Sequence, residues 1–288
     1  MKNRKRFVAF TLVAGFLLIS CSFPAWLASE ISEFISPYLP TSTETIQQPA
    51  TETAQPAPSQ TSQPLPTQTT ESEAVQVIDR TFFAESDDPR YEIDGVWPNL
   101  GGPESVTAAF NAESDRLTQE VMDDFLLVVG ERALESEGSG EAPLSTLTFN
   151  YELTYSDQSI FSFYLIFDQY IAMSAHPFSF SNSLNYDALE GEFIQLADLF
   201  LPGVDHIDAL EGVLDPVLID RDFGYEAGTA GEVMAERENW NLLPEGLRIN
   251  FDVYEVAPYA AGPQYILIPW GDLSGILDLA GPAGSFIE

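Results

Sequence analysis

The stretch TLTFNYELTYSDQSIFSFYLIFDQYI, residues 146–171, decides the fold class. Its first ten residues alternate apolar side chains with Thr, Asn and Glu, the period-two pattern of a strand with one buried face. After the polar turn SDQS, residues 160–171 are apolar at nearly every position, as in a strand that lies inside its sheet. We therefore expect a sheet that is built around these two strands.

Outward from this pair, the chain shows further strand patterns and two helical ones. One face of a helix over residues 104–133 is marked by Val106, Phe110, Leu117, Val121, Phe125 and Val128. A second helix is predicted near residues 205–220. Further strand patterns lie at residues 90–100, 178–186, 247–253 and 265–270. No strand–helix–strand rhythm repeats, so the sequence predicts an α+β fold with mainly antiparallel sheets.

The amino terminus has the features of a bacterial lipoprotein signal. Four basic residues in MKNRKR precede the run FVAFTLVAGFLLIS, whose 14 residues are fewer than the ~20 that a spanning helix needs. The run ends at Leu18-Ile19-Ser20-Cys21, a lipobox in which the cysteine thiol receives a diacylglyceryl group before cleavage. We expect residues 1–20 to be a signal peptide and Cys21 to anchor the protein to the outer face of the cell membrane.

The residues behind the signal divide into three segments. Residues 21–39 place aromatic and aliphatic side chains at helical spacing, and they form either an interfacial helix beside the anchor or a simple juxtamembrane linker. In residues 40–74, Thr, Pro, Gln and Ser occupy 25 of 35 positions, which predicts a disordered linker with almost no apolar surface to bury. Residues 75–288 are predicted to form the folded domain.

Charge and cysteine usage exclude several classes of function. The chain has a formal charge of −34, which becomes −38 when residues 1–20 and their four basic side chains are removed. Nucleic acid binding is excluded because it requires a basic surface that neutralises phosphates. Cys21 is the only cysteine, so the chain can form no intramolecular disulfide and no zinc–thiolate cluster. The acidity either keeps the protein soluble or attracts a basic partner.

The segment YEVAPYAAGP, residues 254–263, separates the last two predicted strands. Its two prolines lack backbone donors and its glycine tolerates a positive φ, so regular strand pairing has to stop here. We expect a bulge or a wide hairpin that presents Tyr254, Glu255 and Tyr259 at one end of a sheet. In the alternative interpretation, the tyrosines fill the core and their hydroxyl groups are hydrogen-bonded there.

The longer stretch GLRINFDVYEVAPYAAGPQYILIPWGDL, residues 246–273, resembles the closing segment of the RsiV-like extracytoplasmic domain family. YEIDGVWPNLGG at residues 91–102 is similar to the opening strand of that family, and SLNYDALEGEFIQLADLF at residues 183–200 is similar to its strand, turn and short helix. The resemblance covers about residues 90–280. The family includes the ectodomain of an anti-sigma factor that is a lysozyme receptor, and the amino-terminal region of a peptidoglycan deacetylase of the PdaC type.

The resemblance implies an α+β fold, an extracellular position and, in one branch, recognition of a basic cell-wall hydrolase. It implies no enzymatic activity for the domain, and we expect neither the anti-sigma function nor the deacetylase activity to carry over. The chain departs from the family at Met173-Ser174-Ala175-His176, where the family usually has Gly-Gly-Ala-His. His176 joins the three residues of the 254–263 segment as a candidate ligand-binding residue.

Catalytic and metal sites find little support in the sequence. His176 and His206 belong to no Gly-x-Ser-x-Gly elbow, so a triad hydrolase is not predicted. Asp205-His206-Ile207-Asp208 suits the start of a helix, where carboxylates face the positive end of the dipole, better than it suits a metal site. We expect no metal and no cofactor.

Three hypotheses about function follow. We favour a lipid-anchored, non-enzymatic binding or sensor domain that recognises a basic, lysozyme-like protein or a peptidoglycan fragment. The second hypothesis is a structural or assembly lipoprotein of the cell envelope, in which the candidate side chains are buried. The third is a cell-wall glycan hydrolase, which needs a cleft with two carboxylates ~5 to 10 Å apart, one of them with a raised pKa.

Overall fold

The computed structural model describes residues 74–135, 143–157 and 159–286, all within one compact unit, Gln68–Glu288. The strands are β1 (Gln76–Asp87), β2 (Arg90–Gly101), β3 (Ser145–Ser156), β4 (Ile160–Tyr170), β5 (Phe178–Asp187), β6 (Glu192–Phe193), β7 (Trp240–Leu243), β8 (Gly246–Phe251) and β9 (Gln264–Pro269). The α-helices are α1 (Glu104–Glu135), α2 (His206–Asp220), α3 (Thr229–Glu236) and α4 (Trp270–Leu273). None of these helices is both long and apolar enough to cross a membrane. The predicted signal peptide, Cys21, the juxtamembrane segment and the linker up to residue 73 lie outside the described residues.

Six strands form one sheet in the order β1-β2-β3-β4-β5-β6. Every neighbouring pair is antiparallel except β2 and β3, which run parallel because the chain passes from one to the other through α1. β4 pairs with β3 on one side and β5 on the other, as its apolar sequence predicted. The predicted α+β fold, the mainly antiparallel sheets and both predicted helices are confirmed.

The long helix α1 packs on this sheet and forms the first apolar core with it. Phe110 of α1 is fully buried, with its ring centroid 5.0 Å from that of Phe163 and 5.4 Å from that of Tyr186. Burial of one such side chain contributes about 1.5–3 kcal/mol. Gly95 of β2 lies opposite Phe149 of β3, and a Cβ at residue 95 would lie 2.2 Å from the Phe149 ring. Any side chain at residue 95 would clash with the Phe149 ring, so only glycine allows this ring to lie over β2.

The buried face of α1 differs from the predicted face near the carboxyl end of the helix. Val128 was predicted to be buried, but it is 39% exposed and Val129 is buried instead, so the prediction for Val128 is wrong. The face runs through Ser114 and Thr118, which an apolar periodicity cannot mark because both are polar. The Ser114 hydroxyl donates to the carbonyl oxygen of Pro98 at 2.6 Å, and the Thr118 hydroxyl donates to that of Ser114 at 3.0 Å. Both buried hydroxyl groups therefore have a hydrogen-bond partner.

β7, β8 and β9 form a separate antiparallel sheet, and the second apolar core lies between this sheet and the helices α2, α3 and α4. Leu210, Leu214 and Leu218 recur at intervals of four on α2 and have no exposed surface. Gly231 of α3 lies beside the Glu211 side chain of α2, whose carboxylate would have to move if residue 231 carried a Cβ.

The two sheets meet through a layer of polar side chains, here called the polar interlayer. Its buried members are Ser162, Ser181, Asn185, Asn239, Asn241, Asn250 and Asp252. Asn241 has no exposed surface; it donates to Ser162 Oγ at 3.0 Å and to Phe163 O at 2.9 Å. It also accepts from Asn250 Nδ2 at 2.8 Å. Since hydrogen bonds are directional, this layer specifies one alignment of the two sheets more narrowly than apolar contacts would.

Arg248 closes one side of the polar interlayer. Its guanidinium lies over the Tyr164 ring, 4.8 Å from the centroid, and Nη1 forms a 3.0 Å ion pair with Glu152 of β3. Burial raises the pKa of the Tyr164 hydroxyl far above its usual value. The phenol therefore stays neutral and bridges the sheets as a hydrogen-bonding group, 3.3 Å from the Tyr265 hydroxyl.

We predict that Asn241→Ala lowers the free energy of unfolding by about 2–4 kcal/mol, because its buried partners lose hydrogen bonds that water cannot replace. Urea denaturation of the full chain measures the change. Asn150→Ala is the matched control, since Asn150 is exposed on β3, and it should change the stability by less than ~0.5 kcal/mol. Equal effects of the two substitutions would contradict a stabilising role for the interlayer.

Candidate functional site

The candidate ligand-binding residues come from two connections between strands. His176 lies in the turn between β4 and β5, residues 171–177. The connection between β8 and β9, residues 252–263, carries the other three candidates, Tyr254, Glu255 and Tyr259. Because β8 and β9 pair as far as Phe251 and Gln264, this connection is the wide hairpin that the sequence predicted.

His176, Tyr254 and Tyr259 converge into one group of rings, here called the aromatic cluster. The His176 ring stacks on Tyr259, with centroids 4.0 Å apart and an angle of 30° between the ring planes. The Tyr254 centroid lies 5.6 Å from that of Tyr259 and 6.4 Å from that of His176. Tyr254 is 58% exposed, and the other two residues are half-buried. The interpretation in which the tyrosines fill the core is therefore wrong for Tyr254.

Hydrogen bonds hold the aromatic cluster against the β4–β5 turn. Tyr259 Oη donates to the carbonyl oxygen of Pro177 at 2.9 Å, and His176 Nδ1 lies 2.8 Å from the same oxygen. Because a carbonyl oxygen only accepts, Nδ1 carries a proton. Nε2 of the same ring lies 3.3 Å from the Tyr254 hydroxyl oxygen. The rings are thus oriented before a ligand arrives, which lowers the entropic cost of binding.

Two residues near the cluster adopt left-handed backbone conformations: Tyr254 with φ of 73° and Met173 with φ of 69°. A residue with a side chain pays ~1–2 kcal/mol for this conformation, whereas glycine does not. Met173 is the first residue of the stretch that departs from the Gly-Gly-Ala-His of the resembled family. The turn therefore has, at this position, a backbone angle that suits glycine.

We predict that Met173→Gly raises the free energy of unfolding by about 0.5–1 kcal/mol, because it relieves the left-handed strain while the 71% exposed side chain contributes little packing. Met173→Ala is the control, since it removes the side chain and keeps the strain. Chemical denaturation compares the two variants, and a glycine variant no more stable than the alanine variant would contradict the strain argument.

A guanidinium joins two carboxylates inside the β8–β9 connection. Arg237 Nη1 donates to Asp252 Oδ2 and to Glu255 Oε1, both at 2.7 Å, and Asp252 N donates to Glu255 Oε2 at 2.6 Å. Glu255 is half-buried, and burial raises the pKa of its carboxyl above the usual range although Arg237 acts in the opposite direction. Its carboxylate is thus engaged within the protein, whereas the neighbouring Tyr254 side chain faces solvent.

We predict that the wild type loses stability relative to Glu255→Gln as the pH rises from about 4 to 7. The folded state holds the Glu255 proton more tightly than the unfolded state does, so unfolding is favoured once the pH passes the ordinary glutamate pKa of ~4.3. Denaturation curves at several pH values measure the difference. Glu131→Gln, an exposed site on α1, controls for the loss of one negative charge. The same pH trend in both variants would contradict the assignment to Glu255.

Arg237, Asp252 and Ser181 belong to this site, but the sequence patterns did not predict them. Arg237 Nη2 donates to the carbonyl oxygen of Ser181, and Asp252 Oδ2 accepts from Ser181 N at 3.1 Å, so the two side chains replace a neighbouring strand for this residue of β5. One signal for Asp252 was present, since it continues an alternating polar series after Arg248 and Asn250. Arg237 carried no such signal, because its partners lie 15 and 56 residues away in the chain.

The second histidine lies in a different part of the fold. Asp205 is the N-cap of α2, and its carboxylate accepts from Asp208 N at 3.2 Å, so the helix-start interpretation is confirmed. His206 Nε2 lies 3.1 Å from Glu238 Oε1, and the His206 ring stacks on Phe200. Among the residues that the structure describes, no group of three or more His, Cys, Asp or Glu side chains is arranged to hold a metal ion.

Part of the chain matches a known family. Residues 197–271, which include β7, β8 and β9, match the sequence model of the family described as "Protein of unknown function (DUF3298)". No curated protein matches this chain.

Two solved structures have a similar fold. The crystal structure of a DUF3298 family member from Bacteroides fragilis NCTC 9343 is 16% identical, with a TM-score of 0.50 over 71% of this chain and 93% of that chain. The crystal structure of a DUF3298 family protein from Pseudomonas aeruginosa PAO1 is 14% identical, with a TM-score of 0.48 over 71% and 94%. At this identity, the first likeness supports the fold alone.

Proposed function

We propose that this chain is a lipid-anchored extracytoplasmic binding or sensor domain without enzymatic activity, and that the aromatic cluster is part of its ligand-binding surface. The observation that carries the proposal is the convergence of His176, Tyr254 and Tyr259, from two separate connections, at one exposed place. Tyrosine side chains supply large contact area at low entropic cost, and they are enriched among the residues that dominate binding energy.

The sequence supports the placement in the cell envelope. The lipobox at Leu18-Ile19-Ser20-Cys21 predicts a diacylglyceryl anchor at Cys21, and the Thr/Pro/Gln/Ser-rich linker of residues 40–74 would hold the domain away from the membrane. We also propose that the folded domain is RsiV-like. The motif at residues 246–273 supports this relation. Most of the motif lies within residues 197–271, the stretch that matches the DUF3298 family.

Charge favours a basic ligand over an acidic one. The chain has a formal charge of −34, and in the β8–β9 connection two carboxylates, Asp252 and Glu255, share the single cation Arg237. We propose a basic, lysozyme-like protein as the ligand, with a peptidoglycan fragment as the alternative. Attraction by net charge alone would weaken strongly at physiological salt, where the Debye length is ~8 Å, whereas contacts with the aromatic cluster would not.

The other two hypotheses receive less support from the side-chain geometry. An assembly lipoprotein with a closed surface would bury the candidate side chains, but Tyr254 is 58% exposed. A glycan hydrolase needs one carboxylate as a free acid and another as a base or nucleophile. Glu255 has the raised pKa that such an acid needs, but it and Asp252 both bond to Arg237 Nη1, so neither carboxylate is free for that role.

We predict that the full chain binds a basic lysozyme at physiological salt, and that Tyr254→Ala weakens this binding at least tenfold because the exposed ring is lost from the contact. Isothermal titration calorimetry at low and physiological salt measures both affinities. Leu189→Ala is the matched control, since Leu189 is 74% exposed beyond the opposite end of β5 from His176.

Three results would separate the alternatives. Binding that survives only at low salt would contradict recognition by the aromatic cluster and indicate attraction to a polyanion. Binding of a muropeptide, but not of lysozyme, that is lost in Tyr254→Ala would assign the cluster to wall fragments. Equal losses in Tyr254→Ala and Leu189→Ala would contradict the proposed site.

A further inference from the structure

At two strand residues among those that the structure describes, side chains satisfy both the N–H and the C=O group of an unpaired edge. At Leu100 of β2, the Asn111 side chain accepts from the backbone N–H at 2.6 Å and donates to the carbonyl oxygen at 2.9 Å. At Ser181 of β5, Arg237 and Asp252 perform the same two functions. Each arrangement replaces one residue of a neighbouring strand and removes a place where another chain could pair.

Among the residues that the structure describes, none covers the outer edge of β1 in this way. β1 pairs with β2 along all of its 12 residues, in an unbroken register from Gln76↔Gly101 to Asp87↔Arg90. On its other side, no strand and no backbone group of the described residues pairs with β1. A long, regular strand with one free edge is a template for an added strand.

The side chains of β1 provide contact surface beside this edge. Phe83 is 60% exposed and Ile78 is 48% exposed. An added strand would thus find backbone partners along the edge and an exposed aromatic ring near its middle.

The charge pattern of β1 indicates the chemistry of the occupant. On one face of the strand, Asp79, Thr81, Phe83, Glu85 and Asp87 occupy alternate positions and are exposed, and the Asp79 carboxylate accepts from the Tyr151 hydroxyl. Arg80 is the only basic residue of the strand. Side chains of an added strand lie beside those of the same face, so lysine or arginine at alternate positions would complement the acidic residues.

Two other occupants fit this edge less well. The chain's own upstream residues include four prolines at positions 56, 58, 64 and 66, and proline has no N–H to donate to a strand ladder. A second copy would bring together two chains that each carry a formal charge of −34. We propose that the outer edge of β1 binds an extended basic segment of a partner protein as an added β-strand.

The test uses the full chain and a fluorescein-labelled peptide of twelve residues that alternates lysine and valine. Fluorescence anisotropy at physiological salt measures its affinity, and the same peptide N-methylated at every backbone nitrogen keeps the charge but cannot donate to the edge. We expect the N-methylated peptide to bind at least tenfold more weakly. Hydrogen exchange should slow at β1 amides when the unmodified peptide is bound.

Protein variants locate the binding. Phe83→Ala should weaken peptide binding several-fold, whereas Leu134→Ala, which shortens a 75% exposed side chain on α1, should leave it unchanged. Tyr254→Ala should also leave it unchanged, which separates this surface from the aromatic cluster.

Four outcomes would overturn the proposal. They are equal affinities of the two peptides, no binding of the unmodified peptide, equal effects of Phe83→Ala and Leu134→Ala, and a dimer of the full chain in sedimentation that Phe83→Ala abolishes. The last outcome would assign the edge to a second copy.

Discussion

The polar interlayer is the constraint on which the arrangement of this domain depends. Each of the two sheets has its own apolar core on one side, and between the sheets lie serine, asparagine, aspartate and arginine side chains. The side chain of Asn241 in β7 bonds to both β4 and β8. An apolar interface tolerates small displacements, but a buried hydrogen-bond network loses partners when it shifts, so the interlayer holds the sheets in one alignment.

The candidate site depends on this alignment. The β4–β5 turn belongs to one sheet and the β8–β9 connection belongs to the other, and the aromatic cluster exists only where the two approach each other. Asp252 and Arg237 tie them together at Ser181, next to the interlayer. The proposed recognition at the cluster would therefore be preorganised by groups beneath it, and a substitution in the interlayer would disturb that binding without touching a ligand.

Strand edges give the second organising theme. The side chains of Asn111, Arg237 and Asp252 form hydrogen bonds with backbone groups that could otherwise pair with another strand. In both cases the side chains come from outside the sheet and bond to a single strand residue. Within the described part of the chain, the outer edge of β1 is by contrast unpaired, on a strand that is both long and acidic. This difference underlies the proposal that β1 is a second binding surface, independent of the aromatic cluster.

The sequence by itself determined the fold class, both main helices, the interior position of β4 and the wide connection that carries Tyr254 and Tyr259, because these follow from local periodicity, proline and glycine. Only the tertiary structure decided that His176 stacks on Tyr259, that Glu255 is bound to Arg237 and that Ser114 and Thr118 lie in the buried face of α1. The reason is physical: which polar groups meet depends on how separate segments of the chain pack, and the Tyr259 hydroxyl, for example, donates to a carbonyl oxygen 82 residues away in the chain.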